Sequence, residues 1–240
     1  GYNLTNKMLI RPEGLALEET NRSLGLNIKV EYFNIPGDNY AGLARILSVK
    51  NIGNKDRNIE LVDGLPQIVP FGTNNFFLKK MSRTIEAWMS VENLKNKAPF
   101  FRLKVDPVDR PEVIHINEGN FALGFSFTGK KAELAPAIVD PADIFGEITD
   151  FSCPINFIRN KRLGISPSVN SKTPCAFFPL EFKLKKNAQK SFYSVSGYMR
   201  SLEILNSSIP KIIVADYLEQ KKEYAEQLLK IWICMVLKKL

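Results

Sequence analysis

A chain of 240 residues with 45% hydrophobic side chains can bury a real core, as one large domain or two small ones, and disorder is excluded. Its 24% charged residues, 14 Gly and 14 Pro also exclude collagen-like, low-complexity and coiled-coil chains. Lys and Arg outnumber Asp and Glu by 33 to 25, a net charge of +8, yet basic runs such as Lys79-Lys80, Lys130-Lys131, Lys161-Arg162, Lys185-Lys186, Lys221-Lys222 and Lys238-Lys239 lie beside apolar residues and never form a block of five or more. That pattern reads as solvated surface and argues against nucleic acid as a partner.

Up to about residue 205, short alternating runs separated by Gly, Pro, Asn and Asp mark antiparallel β structure. The first clear element is a predicted hairpin, Leu43–Lys50 and Asn58–Val62, joined by the turn-tolerant Gly53-Asn54-Lys55-Asp56. Ser82–Val91 alternates next, which as a strand would put Glu86 and Trp88 together on its more polar face. Val113–Asn117 reads as a strand in which the only histidine, His115, is a satisfied structural residue rather than a base. In Asn120–Thr128, Phe121, Leu123, Phe125 and Phe127 make one apolar face suited to sheet-on-sheet packing. Near residue 206 the texture changes: Asn206-Ser207-Ser208 offers a cap and Pro210 a first-turn residue. From Asp216, Leu218, Ala225, Leu228, Leu229 and Trp232 recur at helical spacing, and their stripe gives reason to expect a missing neighbour or self-association, a homodimer included.

Catalytic signatures are sparse. Gly124–Lys131 fits the phosphate-loop spacing until its last position, where Lys131 stands in place of the Mg²⁺-binding hydroxyl, and its interior alternates like a strand. Neither a nucleophile elbow nor a dinucleotide fingerprint is present. The carboxylates Glu18-Glu19, Asp106 with Asp109, and Asp140 with Asp143 define no catalytic pair, because the required separation is a property of the fold. Cys153, Cys175 and Cys234 are scattered and odd in number, which excludes a structural zinc site and fits free thiols in a reducing, cytoplasmic compartment; the three Asn-x-Ser/Thr triplets read as chance. No apolar run is long enough to span a membrane, and the chain, without an initiator Met or a signal n-region, reads as a piece of something longer with Gly1 as a tag scar.

The segment richest in functional groups runs from Asp63 to Met89. Asn74, Asn75, Arg83, Glu86 and Trp88 gather within fifteen residues of it. Planar hydrogen-bonding ends suit sugar hydroxyls and an indole suits the apolar side of a sugar ring, so these five are the predicted carbohydrate contacts. The plainer reading is that Trp88 covers a domain interface while Arg83 and Glu86 form a structural pair.

This segment, through Asp63–Gly72, Asn74-Asn75, Leu78-Lys79, Met81–Thr84 and Glu86–Met89, resembles the N-terminal β-sandwich domain of the cellobiose phosphorylase family. Within that family it is most similar to the 1,2-β-oligoglucan phosphorylase and cyclic β-1,2-glucan synthase-like branch. Glu31–Pro36, Ala98–Phe101 and Ile138–Gly146 extend the resemblance to about residues 25–230. It implies an all-β, mainly antiparallel, large two-sheet sandwich (residues 1–205) followed by a C-terminal linker helix (residues 206–240) that leads to an absent α/α barrel. It also implies a parent enzyme that cleaves β-glucosides with inorganic phosphate as co-substrate, with inversion, to α-glucose 1-phosphate. The family's general acid and most of its phosphate site lie on the barrel, so no catalytic residue, metal or further cofactor is carried over to this chain. The implied role is a non-catalytic, carbohydrate-associated domain with β-glucan oligosaccharide and the barrel as partners. An autonomous glucan-binding module and a purely structural or assembly domain are the alternatives.

Overall fold

The computed structural model describes residues 3–108, 110–159, 163 and 169–237. Asp109, Lys161-Arg162 and Lys238-Lys239, named above, lie outside the described residues. Eleven strands are described: β1 (Leu4–Arg11), β2 (Gly14–Asn21), β3 (Leu26–Asn34), β4 (Ala41–Asn51), β5 (Arg57–Leu65), β6 (Met89–Glu92), β7 (Phe100–Leu103), β8 (Gly119–Thr128), β9 (Lys131–Leu134), β10 (Ala176–Leu184) and β11 (Gln189–Met199). The helices are α1 (Asn75–Met81), α2 (Ala142–Phe145), α3 (Ile155–Ile158), α4 (Leu202–Ile212) and α5 (Tyr217–Leu237).

The strands form an antiparallel sheet ordered β1-β2-β3-β4-β11-β8-β7-β6, with β9 paired to the far end of β8, and a separate pair β5-β10. Alternation on the central strands supplies two apolar faces. Ala44 and Ile46 on β4, Phe121, Leu123 and Phe125 on β8, and Val195 on β11 point to one side, where Leu205, Ile209 and Ile212 of α4 and Tyr217 and Leu218 of α5 cover them. Leu47, Val49, Ala122 and Phe192 point to the other side and meet Ala176, Phe178 and Leu184 of β10, with Ile59 and Leu61 of β5 beside them. The architecture is therefore a β-sandwich of one large and one small sheet with a C-terminal helical layer. The apolar face expected on Asn120–Thr128 is present as read, with Phe127 at its partly buried end. The apparent phosphate loop is the end of β8 and the tight turn into β9, with Gly129 at φ +64°.

Four local expectations differ from the structure. Both strands of the predicted 43–62 hairpin exist, but they do not pair: β4 lies between β3 and β11, whereas β5 joins β10 in the other sheet. The turn residues carry the chain from one sheet to the other, held by the Asn51 amide, which donates to Lys55 O at 2.8 Å and Leu184 O at 3.2 Å. Ser82–Trp88 is a 3-10 helix, not a strand, and only Met89–Glu92 is extended. Phe77, Met81, Ile85 and Trp88 follow helical spacing and close one apolar cluster with Met89 and Leu103, and that burial overrides the alternation. Val113–Asn117 makes one isolated bridge, Val105 to His115, and His115 is exposed rather than buried. Pro107 and Pro111 next to it lack the N–H donors a ladder needs.

The fourth difference is the start of the C-terminal helices. Ser201, not the Asn206–Ser208 run, caps α4, its hydroxyl accepting from Ile204 N–H at 3.3 Å. Ser207 and Ser208 instead bond back to Ile204 O from inside the helix, and Pro210 sits in its last turns. The boundary drawn at residue 206 thus falls within α4, which belongs to the packed body. Replacing the cap, Ser201→Ala, is expected to cost about 1 kcal/mol, a fall of roughly 2–4 °C in melting temperature by calorimetry. The helix expected from Asp216 is α5, with Leu218 buried and Leu228 and Trp232 exposed.

Candidate functional site

The five predicted sugar-contact residues lie on α1 and the 3-10 helix that follows it. Asn74 is the N-cap of α1, and its side-chain oxygen accepts from Phe77 N–H at 2.9 Å, so that amide is engaged by the helix end. Asn75 begins α1 and is exposed. Arg83, 88% exposed, reaches Glu86 at 3.4 Å. The second carboxylate oxygen of Glu86 accepts from the Thr173 hydroxyl at 2.9 Å, tying this segment to the loop before β10. Trp88 is half-buried against the cluster of Phe77, Ile85 and Met89.

Glu86 and Trp88 therefore do not share a face as a strand would require: Glu86 turns to Thr173 and Trp88 to the apolar cluster. The structure brings Arg83 and Glu86 together and leaves Asn75, Arg83 and the open side of Trp88 accessible at the surface. A pair this exposed contributes little. Arg83→Ala is expected to change stability by less than about 0.5 kcal/mol, whereas Glu86→Ala, which leaves the Thr173 hydroxyl only the weak Met89 sulfur as acceptor, should cost about 1 kcal/mol in denaturant titration.

The leading residues of the same segment serve the fold. Asp63 is 6% exposed and pairs with Arg45, whose Nε donates to Tyr32 at 3.0 Å; this joins β5 of the small sheet to β4 and β3 of the large one. Burial raises the Asp63 carboxyl above the usual carboxylate range, and the Arg45 guanidinium opposes that rise. Of the other carboxylates singled out, Glu18 accepts from Asn27 at 2.8 Å and Asp140 from Lys172 at 2.7 Å.

The strongest polar cluster is one that residue patterns did not single out. Asp38, in the loop between β3 and β4, has a side chain 3% exposed and receives Lys211 of α4, Lys221 of α5 at 2.7 Å and the Tyr217 hydroxyl at 2.7 Å. Because Tyr217 donates its only hydroxyl proton to Asp38, Tyr40 donates to Tyr217 across their 2.6 Å contact. Burial alone would raise the Asp38 carboxyl, but the two lysines and the tyrosine more than offset it and hold it at about 2; Tyr40 is pushed up to about 12, chiefly by burial. Lys222 continues the latch to Glu31 at 3.0 Å. Lys221-Lys222, read above as solvated surface, is a clamp between α5 and the large sheet. The signal for it was the lysine pair one helical turn after Tyr217, but its acidic partner lies some 180 residues away in sequence.

All three cysteines are free; Cys175 is buried, with its thiol pushed up by burial, while Cys153 is half-buried and Cys234 exposed. Among the described residues no group of His, Cys, Asp and Glu is arranged to hold a metal ion, and no helix is long and apolar enough to cross a membrane.

Fold and site together define a mainly antiparallel β-sandwich domain latched to a C-terminal helix pair. No family model matches the chain, and no curated protein matches it. Among solved structures it is similar to "Putative kojibiose phosphorylase from human microbiome", at 8% identity and a TM-score of 0.46 over 94% of this chain and 25% of that one. The chain thus spans about a quarter of that protein's length, and at this similarity neither the activity nor the substrate of that protein transfers to it.

Proposed function

We propose that the chain is a non-catalytic, carbohydrate-associated β-sandwich domain of a larger inverting glycoside phosphorylase acting on β-glucans. The observation that carries the reading is the asymmetry of α5. Its first turns are fixed to the sandwich by Asp38 and Glu31, while Leu228, Ile231 and Trp232 further along are 39%, 57% and 60% exposed. A helix rigidly clamped at its base and apolar on its free side is built to carry a neighbour at a set angle. The sequence resemblance supplies the identity of that neighbour, an α/α barrel holding the general acid and the phosphate site.

The carboxylates of the candidate segment support the non-catalytic part: Asp63 is tied to Arg45, and Glu86 to Thr173 and Arg83, each holding two pieces of the fold together. A purely structural or assembly role is the second reading, favoured by the same engagements and by the half-buried Trp88. Incubation of the purified chain with β-1,2- or β-1,4-linked gluco-oligosaccharides and inorganic phosphate, followed by enzymatic assay of glucose 1-phosphate, tests the proposal. No release above the protein-free blank is expected. Release that Glu86→Gln abolishes would overturn it.

A further inference from the structure

The face of the large sheet that β5-β10 covers continues past the small sheet at one end, and a wide, shallow cleft of about 590 Å³, open to solvent along its length, lies there. Strand register builds its floor. Asn34, Leu43 and Ser196 form one row across β3, β4 and β11, and Tyr198 with Asn120 forms the next across β11 and β8. The registered pair Gly42 and Gly197 lies between the rows, where the floor is backbone alone. Gln67 and Val69, on the segment after β5, complete the wall.

The side chains are held in place before any ligand arrives. The Asn120 amide donates to Val69 O at 2.8 Å, and the Tyr198 ring packs at 5.1 Å on Phe71. Leu43 and Val69, 40% and 43% exposed, leave aliphatic surface uncovered beside these amides and hydroxyls. Charge separates this cleft from three other depressions of the surface. Among the described residues lining it none is charged, in a chain of which 24% is charged, whereas the depressions beside Lys190, Lys222 and Glu18 each carry both signs. Neutral amides and hydroxyls interleaved with aliphatic and aromatic surface suit a ligand with many hydroxyls, apolar ring faces and no net charge.

We infer that this cleft is a binding site for an uncharged oligosaccharide, separate from the α1 segment. The inference rests on the carbohydrate-associated reading for its ligand class and on register and charge for its location. The test is isothermal titration of the purified chain with cellotetraose, with the β-1,2-linked tetrasaccharide and with glucose 1-phosphate as the charged control. Either tetrasaccharide is expected to bind, the control at least tenfold more weakly. Gln67→Arg, at an exposed position that leaves the fold intact, and Tyr198→Ala should each weaken binding at least tenfold, and Trp88→Ala less than twofold. If the tetrasaccharide binds equally well to both cleft variants and only Trp88→Ala or Asn75→Ala weakens it, the cleft is overturned while the carbohydrate reading stands. If the unaltered chain binds neither tetrasaccharide, both fall. A mass that rises with concentration and that Gln67→Arg returns to the monomer value overturns the inference in favour of a surface between two copies of the chain.

Discussion

Asp38→Ala is expected to be the most damaging single polar substitution in this protein. It leaves Lys221, 14% exposed, and the Tyr217–Tyr40 hydroxyl pair without the anion that they converge on. Breaking a buried ion pair from one side costs about 3–5 kcal/mol, a fall of roughly 6–20 °C in melting temperature for a chain of this size. The damage should be local to the latch, so hydrogen exchange should accelerate first in α4 and α5 and only later in β4, β8 and β11. Asp38→Asn combined with Lys221→Met, which removes both charges, should recover part of the loss, because most of the cost lies in the stranded ammonium. The same carboxylate sets the acid limb of stability. Its pKa of about 2 in the folded chain lies below the unfolded value near 4, so its contribution is complete above about pH 4 and is lost as pH falls toward 2. Asp38→Asn should therefore flatten the stability profile in that window, and equal pH dependence in both proteins would refute the latch.

Gly64→Ala should have a comparable effect for a different reason. Gly64 has φ +151°, and a Cβ there would stand 2.0 Å from Ala176 O and 2.8 Å from Phe177 Cα, on the partner strand that the β5-β10 register fixes opposite it. No rotamer relieves a clash between a Cβ and backbone, so the two strands must separate. Because β10 is also the lid over Leu47, Ala122 and Phe192, the loss spreads into that core, and about 3 kcal/mol or more is expected, read as a lower midpoint in urea. An unchanged midpoint would mean that the small sheet does not fasten the sandwich.

Asp63-Gly64 stood out in the sequence as the start of the segment richest in functional groups, and the structure gives both residues mechanical work: one bridges two sheets through Arg45, the other admits a partner strand. The β8 face was legible because alternation of Phe121, Leu123 and Phe125 is a local signal that burial on one side enforces. The α5 helix was legible for the same reason at helical period. The pairing of β4 and β5 was not, since the turn Gly53–Asp56 has the same chemistry whether it closes a hairpin or passes the chain between sheets. What decides it is Asn51 bonding to Leu184 O, 133 residues away. At Ser82–Trp88 two periods compete in one stretch, and the helical one wins through Phe77 and Leu103, which lie outside it. The carbohydrate contacts proposed there were read from residue type, and Asn74 shows the weakness of that evidence: its amide caps a helix. The uncharged cleft was invisible because its rows are assembled from β3, β4, β8 and β11, which only the register brings side by side.

Association of this domain with neutral β-glucan is open to isothermal titration of the unaltered 240-residue chain with the β-1,2- and β-1,4-linked tetrasaccharides at neutral pH. Saturable binding in the micromolar to millimolar range, about −8 to −4 kcal/mol, is expected. No heat of binding with either tetrasaccharide at millimolar concentration would mean that the domain does not associate with β-glucan.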